Sequence, residues 1–309
     1  MRTVHPARHV LDLTSAGART PIAELLRRSR AAAYARLMRK TRGAVVCTGC
    51  GRLVDVNDPV CPYCGRTSPG MFGYGPALQR LLGGFDLAVA VIGVCVLLYM
   101  LSLLIDARGI RMAGMFDILS PSNRALAMLG WTHSFAVTHG LWWTLVTAVF
   151  LHGSLLHLLF NMVITRQYLP HVVELYGPAR AWVIFMVAGV AGFAVSILAS
   201  PNPTIGASGA IFGLLASLIV YGRRTHQHAV TQQLWMSAGL MFLFGFIMPA
   251  NVNNFAHAGG FAGGFVASEA LSFSGRRESP WLLVLAWGSA LLVPAAFTLQ
   301  LLALYGLLR

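Results

Sequence analysis

Three short groups of polar residues interrupt long apolar stretches of this sequence, and their side chains suit nucleophilic chemistry. The first group is His152, His157 and Asn161, and the other two are the segments GASG at 206–209 and NNFAH at 253–257. Ionisable residues inside a membrane span are costly, so they are functional candidates by default. A serine hydroxyl becomes a good nucleophile when a neighbouring histidine takes its proton. Ser208 and His257 are therefore the candidate nucleophile and base.

The same chemistry needs hydrogen-bond donors for the negative oxygen that forms when a nucleophile attacks a carbonyl group. His157 and Asn161 are four residues apart, so on a helix they share one face, and both side chains can donate. On a continuous helix His152 would be rotated by about 140° from His157, which predicts an indirect supporting role. If that helix starts near residue 144, His157 lies about 20 Å along it.

Carboxylates are scarce around these candidates. Between residues 140 and 272 the sequence contains Glu174 and Glu269. Glu174 is predicted in a cytoplasmic loop, and Glu269 lies about 18 Å beyond His257 along the same predicted helix. Neither carboxylate can orient the His257 ring, so the sequence predicts a Ser–His dyad rather than a triad.

The composition indicates what kind of element must position these residues. Of the 309 residues, 56% are hydrophobic and 11% are charged, whereas soluble domains carry about 25% charged residues. The first 85 residues hold 13 of the 23 Lys and Arg residues, which predicts a basic soluble segment before a membrane domain. Seven apolar stretches long enough to span a bilayer are predicted at 86–105, 144–165, 180–199, 206–222, 232–249, 255–273 and 281–307.

Basic residues near the ends of these spans predict their orientation. Arg166 and Arg180 flank the loop after the second span, and the pairs 223–224 and 276–277 follow the fourth and sixth spans. Cytoplasmic loops are enriched in Lys and Arg, which predicts a multi-pass inner-membrane protein with a cytoplasmic N-terminus. The candidate site then lies toward the external face. The same rule accounts for the net charge of +13 and disfavours a nucleic-acid partner.

Four cysteines form two C-x-x-C motifs, CTGC with Cys47 and Cys50, and CPYC with Cys61 and Cys64. No apolar leader is visible in the first 40 residues, so these cysteines are predicted in a reducing cytosol, where metal binding is favoured over disulfides. Four thiolates suit a structural Zn²⁺ in a small zinc ribbon, with iron as the alternative. Docking of a regulator or of a substrate tail is the expected role. No cofactor is expected for catalysis.

Residues 1–42 form a basic tail with ten Lys or Arg residues. An amphipathic surface helix over 21–39, a disordered tail, a transit peptide and a later start at Met38 all agree with this composition.

The three polar motifs, in this order, resemble those of the rhomboid intramembrane serine proteases. HGSLLHLLFN at 152–161 is similar to the family's motif of two histidines and an asparagine, GASG at 206–209 to its GxSG motif, and AHAGGFAGG at 256–264 to AHxxGxxxG. The resemblance covers roughly 86–275. One departure is that Trp143 is followed by Thr144, where the family often has arginine, so the packing of this loop is expected to differ.

The resemblance implies a role for each matched residue. Ser208 would attack the peptide carbonyl and His257 would activate it, with His157, Asn161 and the Ser208 backbone N–H forming the oxyanion hole. His152 would support the site. Gly206 would support the site as part of the nucleophile motif. Gly209 and Gly260 would be close-packing positions, and Phe212 would be the aromatic that packs on the base.

The predicted architecture is an all-α polytopic membrane protein with a rhomboid-like bundle of six plus one transmembrane helices, preceded by a small zinc ribbon. The predicted domains are a tail, the ribbon, a linker, the catalytic core and a seventh helix with its loop, at 1–42, 43–70, 71–85, 86–275 and 276–309. Expected partners are the lipid bilayer and single-span membrane proteins, which would be cleaved in their transmembrane segments. Nothing in the sequence indicates an oligomeric state.

Two other functions fit the same sequence: a catalytically inactive rhomboid-like binder or chaperone, and a transporter that uses the buried histidines. For the protease, the fifth span and the loop after it are the predicted gate. Phe242, Phe244 and Phe246 are expected either to line that gate or to face lipid.

Overall fold

The structure is a computed structural model that describes residues 40–47, 52–63, 65, 67–74, 86–114, 117–248, 252–271 and 279–307. The chain divides into two compact units, Met1–Gly84 and Phe85–Arg309. The described residues of the first unit include a β-hairpin, and those of the second are mostly helical. Cys50 and Cys64, and the tail up to residue 39, lie outside the described residues.

The hairpin of the first unit consists of β1 (Ala44–Val46) and β2 (Leu53–Asp55), which pair antiparallel. The central residues of the two strands, Val45 and Val54, lie opposite each other and are both buried, while their neighbours on each strand are exposed. This alternation is expected of a short strand pair with one covered face. The covered face forms a small apolar cluster of Val45, Cys47, Val54, Val56 and Cys61.

The second unit contains the membrane helices. In the part of the chain that the structure describes they are α1 (Leu87–Ile105), α2 (Asn123–Leu129), α3 (Ser134–Thr138), α4 (Thr144–Thr147), α5 (Leu155–Tyr176), α6 (Pro178–Ala199), α7 (Ser208–Arg224), α8 (His228–Ile247), α9 (Asn254–Leu271) and α10 (Pro280–Leu304). A 3₁₀ turn, Ala148–Phe150, follows α4 directly.

Side-chain caps fix where several of these helices begin. The Asp86 carboxylate accepts hydrogen bonds from the N–H groups of Ala88 and Val89 at the start of α1, and it also pairs with Arg166 of α5. The Arg166 guanidinium hydrogen-bonded to it, helped by these N–H groups, lowers the pKa of Asp86 below its usual value. The Ser154 hydroxyl caps α5 by accepting from the N–H of His157. Such caps satisfy N–H groups that have no partner within the helix.

Four helices among the described residues are long and apolar enough to cross a bilayer on their own, namely α1, α6, α8 and α10. A fifth span results if the bent pair Thr144–Phe150 and Leu155–Tyr176 is counted as one. The prediction of a mostly helical polytopic membrane protein is therefore confirmed, while the count of six plus one spans stays a prediction. Except for the second span, the helix ends differ from the predicted ends by about four residues or fewer, the usual error of such boundaries.

The second predicted span, 144–165, is wrong as one continuous helix. The chain breaks at 151–154, and the two helical pieces meet at 88°. Helix α5 then continues to Tyr176 rather than ending before Arg166, and it contains Pro170. The Arg166 charge within it is paired with Asp86. Glu174 therefore lies in a helix and not in a loop.

Helix α7 lies at the centre of the bundle, between α6 and α9. It has 17 residues, and most of its side chains are buried over its whole circumference. A helix that is buried on all sides does not need to meet the length or hydropathy of a lipid-exposed span. The end of the loop before it is buried too, with Gly206 covered and Ala207 fully so. Irregular backbone at membrane depth is tolerated where protein covers it, so the N-terminus of α7 can lie inside the unit.

Candidate active site

The candidate nucleophile is the first residue of α7. Gly206, two residues before Ser208, has a φ of +123°, which favours glycine, and its N–H donates to the Ala148 carbonyl over 2.9 Å. The first N–H groups of a helix have no partner within it and carry partial positive charge. Ser208 is thus presented at a backbone position suited to stabilising a negative oxygen nearby.

The candidate base lies in the first turn of α9. The Nε2 atom of His257 is 2.9 Å from the Oγ atom of Ser208, a hydrogen-bond distance for a nucleophile and its base. Within the described residues the Nδ1 atom of His257 has no hydrogen-bond partner. Glu269, at the far end of α9, pairs instead with Arg224. The Ser–His dyad without an orienting carboxylate stays a prediction.

Aromatic rings hold the imidazole of His257 in place. The Phe212 ring stacks on it with 4.4 Å between centroids and 27° between planes. Phe242 of α8 packs against Phe212 at 4.7 Å and approaches His257 edge-on at 6.2 Å. Phe244 and Phe246 on the same helix are exposed. Of the three phenylalanines considered for the gate, Phe242 therefore faces the site, and the other two face outward.

Glycines allow the helices that carry serine and histidine to approach closely. A Cβ atom placed on Gly260 of α9 would overlap the backbone of Gly209 of α7. A Cβ atom on Gly209 would lie 3.2 Å from the Ala256 carbonyl oxygen, next to His257. Backbone contact of this kind needs residues without side chains. The predicted close-packing positions do lie at this contact.

The predicted oxyanion residues both lie on α5, close to the nucleophile loop. A Cβ atom on Gly206 would be 2.7 Å from Nε2 of His157, so this ring lies against the backbone two residues before Ser208. The Gly153 N–H points to Nδ1 of His157 at 3.4 Å. If Nδ1 accepts that hydrogen bond, Nε2 carries the proton and is a donor. Asn161 is buried, and its Nδ2 atom donates to the His157 carbonyl over 2.8 Å.

His152 lies before α5, in the break, and not on a helix with His157. Because the chain bends there, the rotation of about 140° expected on a continuous helix does not apply. The two imidazole rings instead pack edge to face with 5.1 Å between centroids. His152 is fully buried, next to the candidate oxyanion residue. The bend also places His157 in the first turn of α5, so the predicted depth of about 20 Å, counted from residue 144, is wrong.

The capping roles of two polar side chains that position the site were not predicted from the sequence. Ser154 caps α5 at His157, and Asn253 caps α9 near His257, accepting from the N–H groups of Phe255 and Ala256 at 3.1 Å each. The signal was available, since serine and asparagine directly before a helix are favoured caps. Asn253 also donates to the Ser196 hydroxyl of α6 over 2.7 Å. That contact joins residues that are far apart in sequence, so no local sequence pattern predicts it.

Replacing Asn253 with alanine should destabilise the protein by about 1–3 kcal/mol, because the cap is lost and two N–H groups near His257 lose their acceptor. We expect the turnover number of any Ser208-dependent reaction to fall about fivefold, in line with a loss near 1 kcal/mol at the site. Asn253→Asp keeps the capping oxygen and removes the donor to Ser196, so it should retain most of the stability. Thermal unfolding in detergent measures both variants; equal losses would contradict the capping role.

Thr144, where arginine is often found in proteins that share these motifs, is buried. Its hydroxyl lies 2.7 Å from the Leu141 carbonyl oxygen and 3.1 Å from the Thr132 hydroxyl. Thr132 in turn pairs through its backbone with Thr204, in the segment before α7. The loop between the first two spans is thus joined to the nucleophile loop through neutral hydroxyl and backbone groups.

The predicted metal ligands are only partly described. Cys47 and Cys61 are both buried in the apolar cluster of the hairpin. The Cys47 N–H donates to the Arg52 carbonyl, and the Gly65 N–H donates to the Cys61 carbonyl, each over 2.8 Å. Two buried cysteines in one small cluster fit part of a thiolate metal site. Because Cys50 and Cys64 lie outside the described residues, the four-ligand set stays a prediction.

The fold and the site define a polytopic helical membrane protein with a serine and a histidine in hydrogen-bond contact inside its bundle. Residues 139–273 match the family model of the rhomboid domain. The chain is 33% identical over 155 residues to rhomboid protease GluP of Bacillus subtilis, covering 49% of this chain and 30% of that protein. It is 29% identical over 141 residues to putative rhomboid protease YdcA of the same organism, covering 44% and 70%, respectively.

RHOMBOID-like protein 5 of Arabidopsis thaliana is 29% identical over 154 residues, which cover 48% of this chain and 50% of that protein. The chain thus spans half or less of the length of several curated relatives that it matches. The matched stretch includes all three polar motifs. Residues 139–273 thus form a rhomboid domain, and the resemblance predicted from the three motifs is confirmed.

Proposed function

We propose that this chain is an intramembrane serine endopeptidase in which Ser208 and His257 act as a catalytic dyad. The observation that carries the proposal is the 2.9 Å contact between Ser208 Oγ and His257 Nε2 within a rhomboid domain. A serine of a membrane helix usually bonds to its own backbone or packs against a neighbour. Ser208 instead meets a histidine that packs between aromatic rings.

The contact supports the following sequence of steps. Nε2 of His257 takes the Ser208 proton while Oγ attacks the carbonyl carbon of a peptide bond. The protonated imidazole then gives that proton to the leaving amine, which leaves an ester on Ser208. Water attacks the ester with His257 again as base, and Oγ regains its proton as the acid product departs.

The negative oxygen formed in each attack needs donors that are already in place. We assign this role to Nε2–H of His157, to Nδ2 of Asn161 and to the Ser208 backbone N–H. The contact of His157 with Gly206 supports the assignment, because it brings the ring to the nucleophile loop. One hydrogen of the Asn161 amide is used for the His157 carbonyl, and the other is available to a ligand.

Single-span membrane proteins are the proposed substrates. A transmembrane helix hides its carbonyl groups in backbone hydrogen bonds, so the cleaved segment must unwind before Ser208 can reach it. Helix α8 is the proposed gate, because it buries only Thr231, Ala238 and Gly245 among its described residues. We further propose an inner-membrane location with the site toward the external face, as the distribution of basic residues predicts.

Labelling with a fluorophosphonate probe, combined with a reporter assay, tests the proposal. We expect the purified protein in liposomes to cleave a single-span reporter and to carry the probe on Ser208, located by mass spectrometry. An inactive binder would instead retain the reporter uncut without carrying the probe. A transporter would show solute flux that depends on His157 or His257 and not on Ser208. Either of those results would overturn the protease proposal.

We also propose that Cys47, Cys50, Cys61 and Cys64 bind one structural Zn²⁺, which would dock a regulator or a substrate tail through the ribbon. Metal analysis of the purified chain should find about one zinc per chain, as four-thiolate sites hold a single ion. Cys47→Ser should lose most of it. Cys95→Ser, which alters a buried cysteine of α1, is the matched control and should retain it. Iron in place of zinc, or equal zinc in both variants, would contradict this assignment.

A further inference from the structure

Helix α10 carries a buried amide side chain whose two ends are both hydrogen-bonded. Gln300 is buried; its Oε1 atom accepts from the Trp143 indole N–H over 2.9 Å, and its Nε2 atom donates to the Ala127 carbonyl over 3.0 Å. An amide in an apolar interior is costly unless its donor and acceptor are both satisfied. Gln300 therefore makes two specific hydrogen bonds in addition to its packing.

Both partners of Gln300 belong to the segment between the first two spans. Ala127 is in α2, and Trp143 is the N-cap of α4. A second contact joins these parts, since the Thr147 hydroxyl donates to the Gly130 carbonyl. A Cβ atom on Gly130 would meet both that hydroxyl and the Gln300 side chain. Gln300 thus holds α2 and α4 together from the side of α10.

The segment that Gln300 holds leads directly to the nucleophile. Helix α4 runs into the turn Ala148–Phe150, and the Ala148 carbonyl accepts the Gly206 N–H over 2.9 Å. Gly206 lies two residues before Ser208 and against His157. Trp143 and the carbonyl that holds the nucleophile loop are thus joined through one short helical segment. Geometric precision matters for catalysis.

Among the described residues, two other polar side chains of α10 make contacts outside this segment. The Ser289 hydroxyl accepts from the Trp182 indole N–H of α6 over 3.0 Å. The Thr298 hydroxyl donates to the Pro294 carbonyl of its own helix. These residues are natural controls, because they alter polar groups of the same helix without touching Trp143 or Ala127.

We infer that Gln300 is a positioning residue for the catalytic centre: α10, through Gln300, fixes Trp143 and thereby the Ala148 carbonyl that holds Gly206 and Ser208. The inference rests on the proposed function of Ser208. It gives the seventh predicted span a task in catalysis. The helix would act by setting the backbone of the nucleophile loop from a distance, without contacting substrate.

The test compares Gln300→Met, which conserves volume and removes both hydrogen bonds, with Ser289→Ala. We expect the rate of Ser208 labelling by a fluorophosphonate, and kcat for a single-span reporter, to fall about tenfold in Gln300→Met, as for a loss of about 1.4 kcal/mol in the transition state. KM should stay within about twofold, since a loss confined to the transition state lowers kcat without raising KM. Ser289→Ala should keep both constants within about twofold.

Trp143→Phe removes the same hydrogen bond from the other partner, and it tests the inference if Gln300→Met does not fold. Alone it should lower labelling by several-fold, and the double variant should fall no further than Gln300→Met, because contacts in one network are not additive. The inference would be overturned if the two substitutions lowered labelling multiplicatively in the double variant. It would also be overturned if Gln300→Met labelled within twofold of wild type, or if Ser289→Ala lost labelling equally.

Hydrogen exchange keeps the inference testable without any activity. Gln300→Met should speed amide exchange at 143–150 and 204–208, and Ser289→Ala should not. Unchanged exchange in Gln300→Met would overturn the inference. Absence of labelling in the wild type, with Ser208→Ala as the blank, would instead overturn the proposed function, so the two failures are distinguishable.

Discussion

Ser208→Ala should lower the rate of reporter cleavage by at least about 10⁴-fold and remove fluorophosphonate labelling completely. Loss of the nucleophile from a serine hydrolase costs this much or more, because the residual rate comes only from substrate positioning and oxyanion stabilisation. The substitution removes one oxygen at the start of α7 and leaves the glycine contacts of that helix in place. Cleavage followed on gels in liposomes, with thermal unfolding in parallel, measures both consequences.

Ser217→Ala is the matched control for that prediction. Ser217 is a buried serine of the same helix. Among the described residues, its hydroxyl donates only to the Leu214 carbonyl, one turn earlier in that helix. The rate of cleavage in this variant should stay within about twofold of wild type, since the change is remote from the reacting atoms. Cleavage that persists at the wild-type rate in Ser208→Ala would refute the assignment of the nucleophile.

The contact between Ser208 and His257 could be predicted from the sequence, because each residue opens a predicted span and both spans run in the same direction. Depth along a helix follows from residue count, so two such openings lie at one level of the bilayer. The close-packing role of Gly260 came from the resemblance and is also reflected in local spacing, since GxxxG permits backbone contact. These inferences need only local sequence patterns and the fact that successive membrane spans run in opposite directions.

The break before α5 was missed because hydropathy is continuous across it. Residues 144–165 are apolar enough to be taken as one span, and the signal for a break is the pair Gly153–Ser154, which reads as a loop followed by a cap. The consequence is large, since the bend moves His152 off the helix of His157.

The contacts of Gln300 with Trp143 and of Asn253 with Ser196 join residues far apart in sequence. No periodicity or spacing predicts such pairs.

Gly260→Ala should lower the rate of Ser208 labelling by about 10²-fold, because a displacement of about 1 Å at a reacting centre can cost that much. The added methyl group would overlap the Gly209 backbone, one residue after the nucleophile. Helices α7 and α9 must then move apart, and with them Oγ of Ser208 and Nε2 of His257. Overpacking of this kind also destabilises a protein by about 1–3 kcal/mol, which thermal unfolding would register.

Gly239→Ala separates this steric effect from a general effect of alanine in a membrane helix. Gly239 lies on α8, and a Cβ atom placed there would meet nothing within 4 Å. Alanine favours the helical backbone over glycine by about 1 kcal/mol, so this variant should label at the wild-type rate and unfold no earlier. If Gly260→Ala also labels at the wild-type rate, the glycine contact does not set the Ser–His distance. If both variants lose labelling equally, the loss arises from helix substitution in general and not from the contact between α7 and α9.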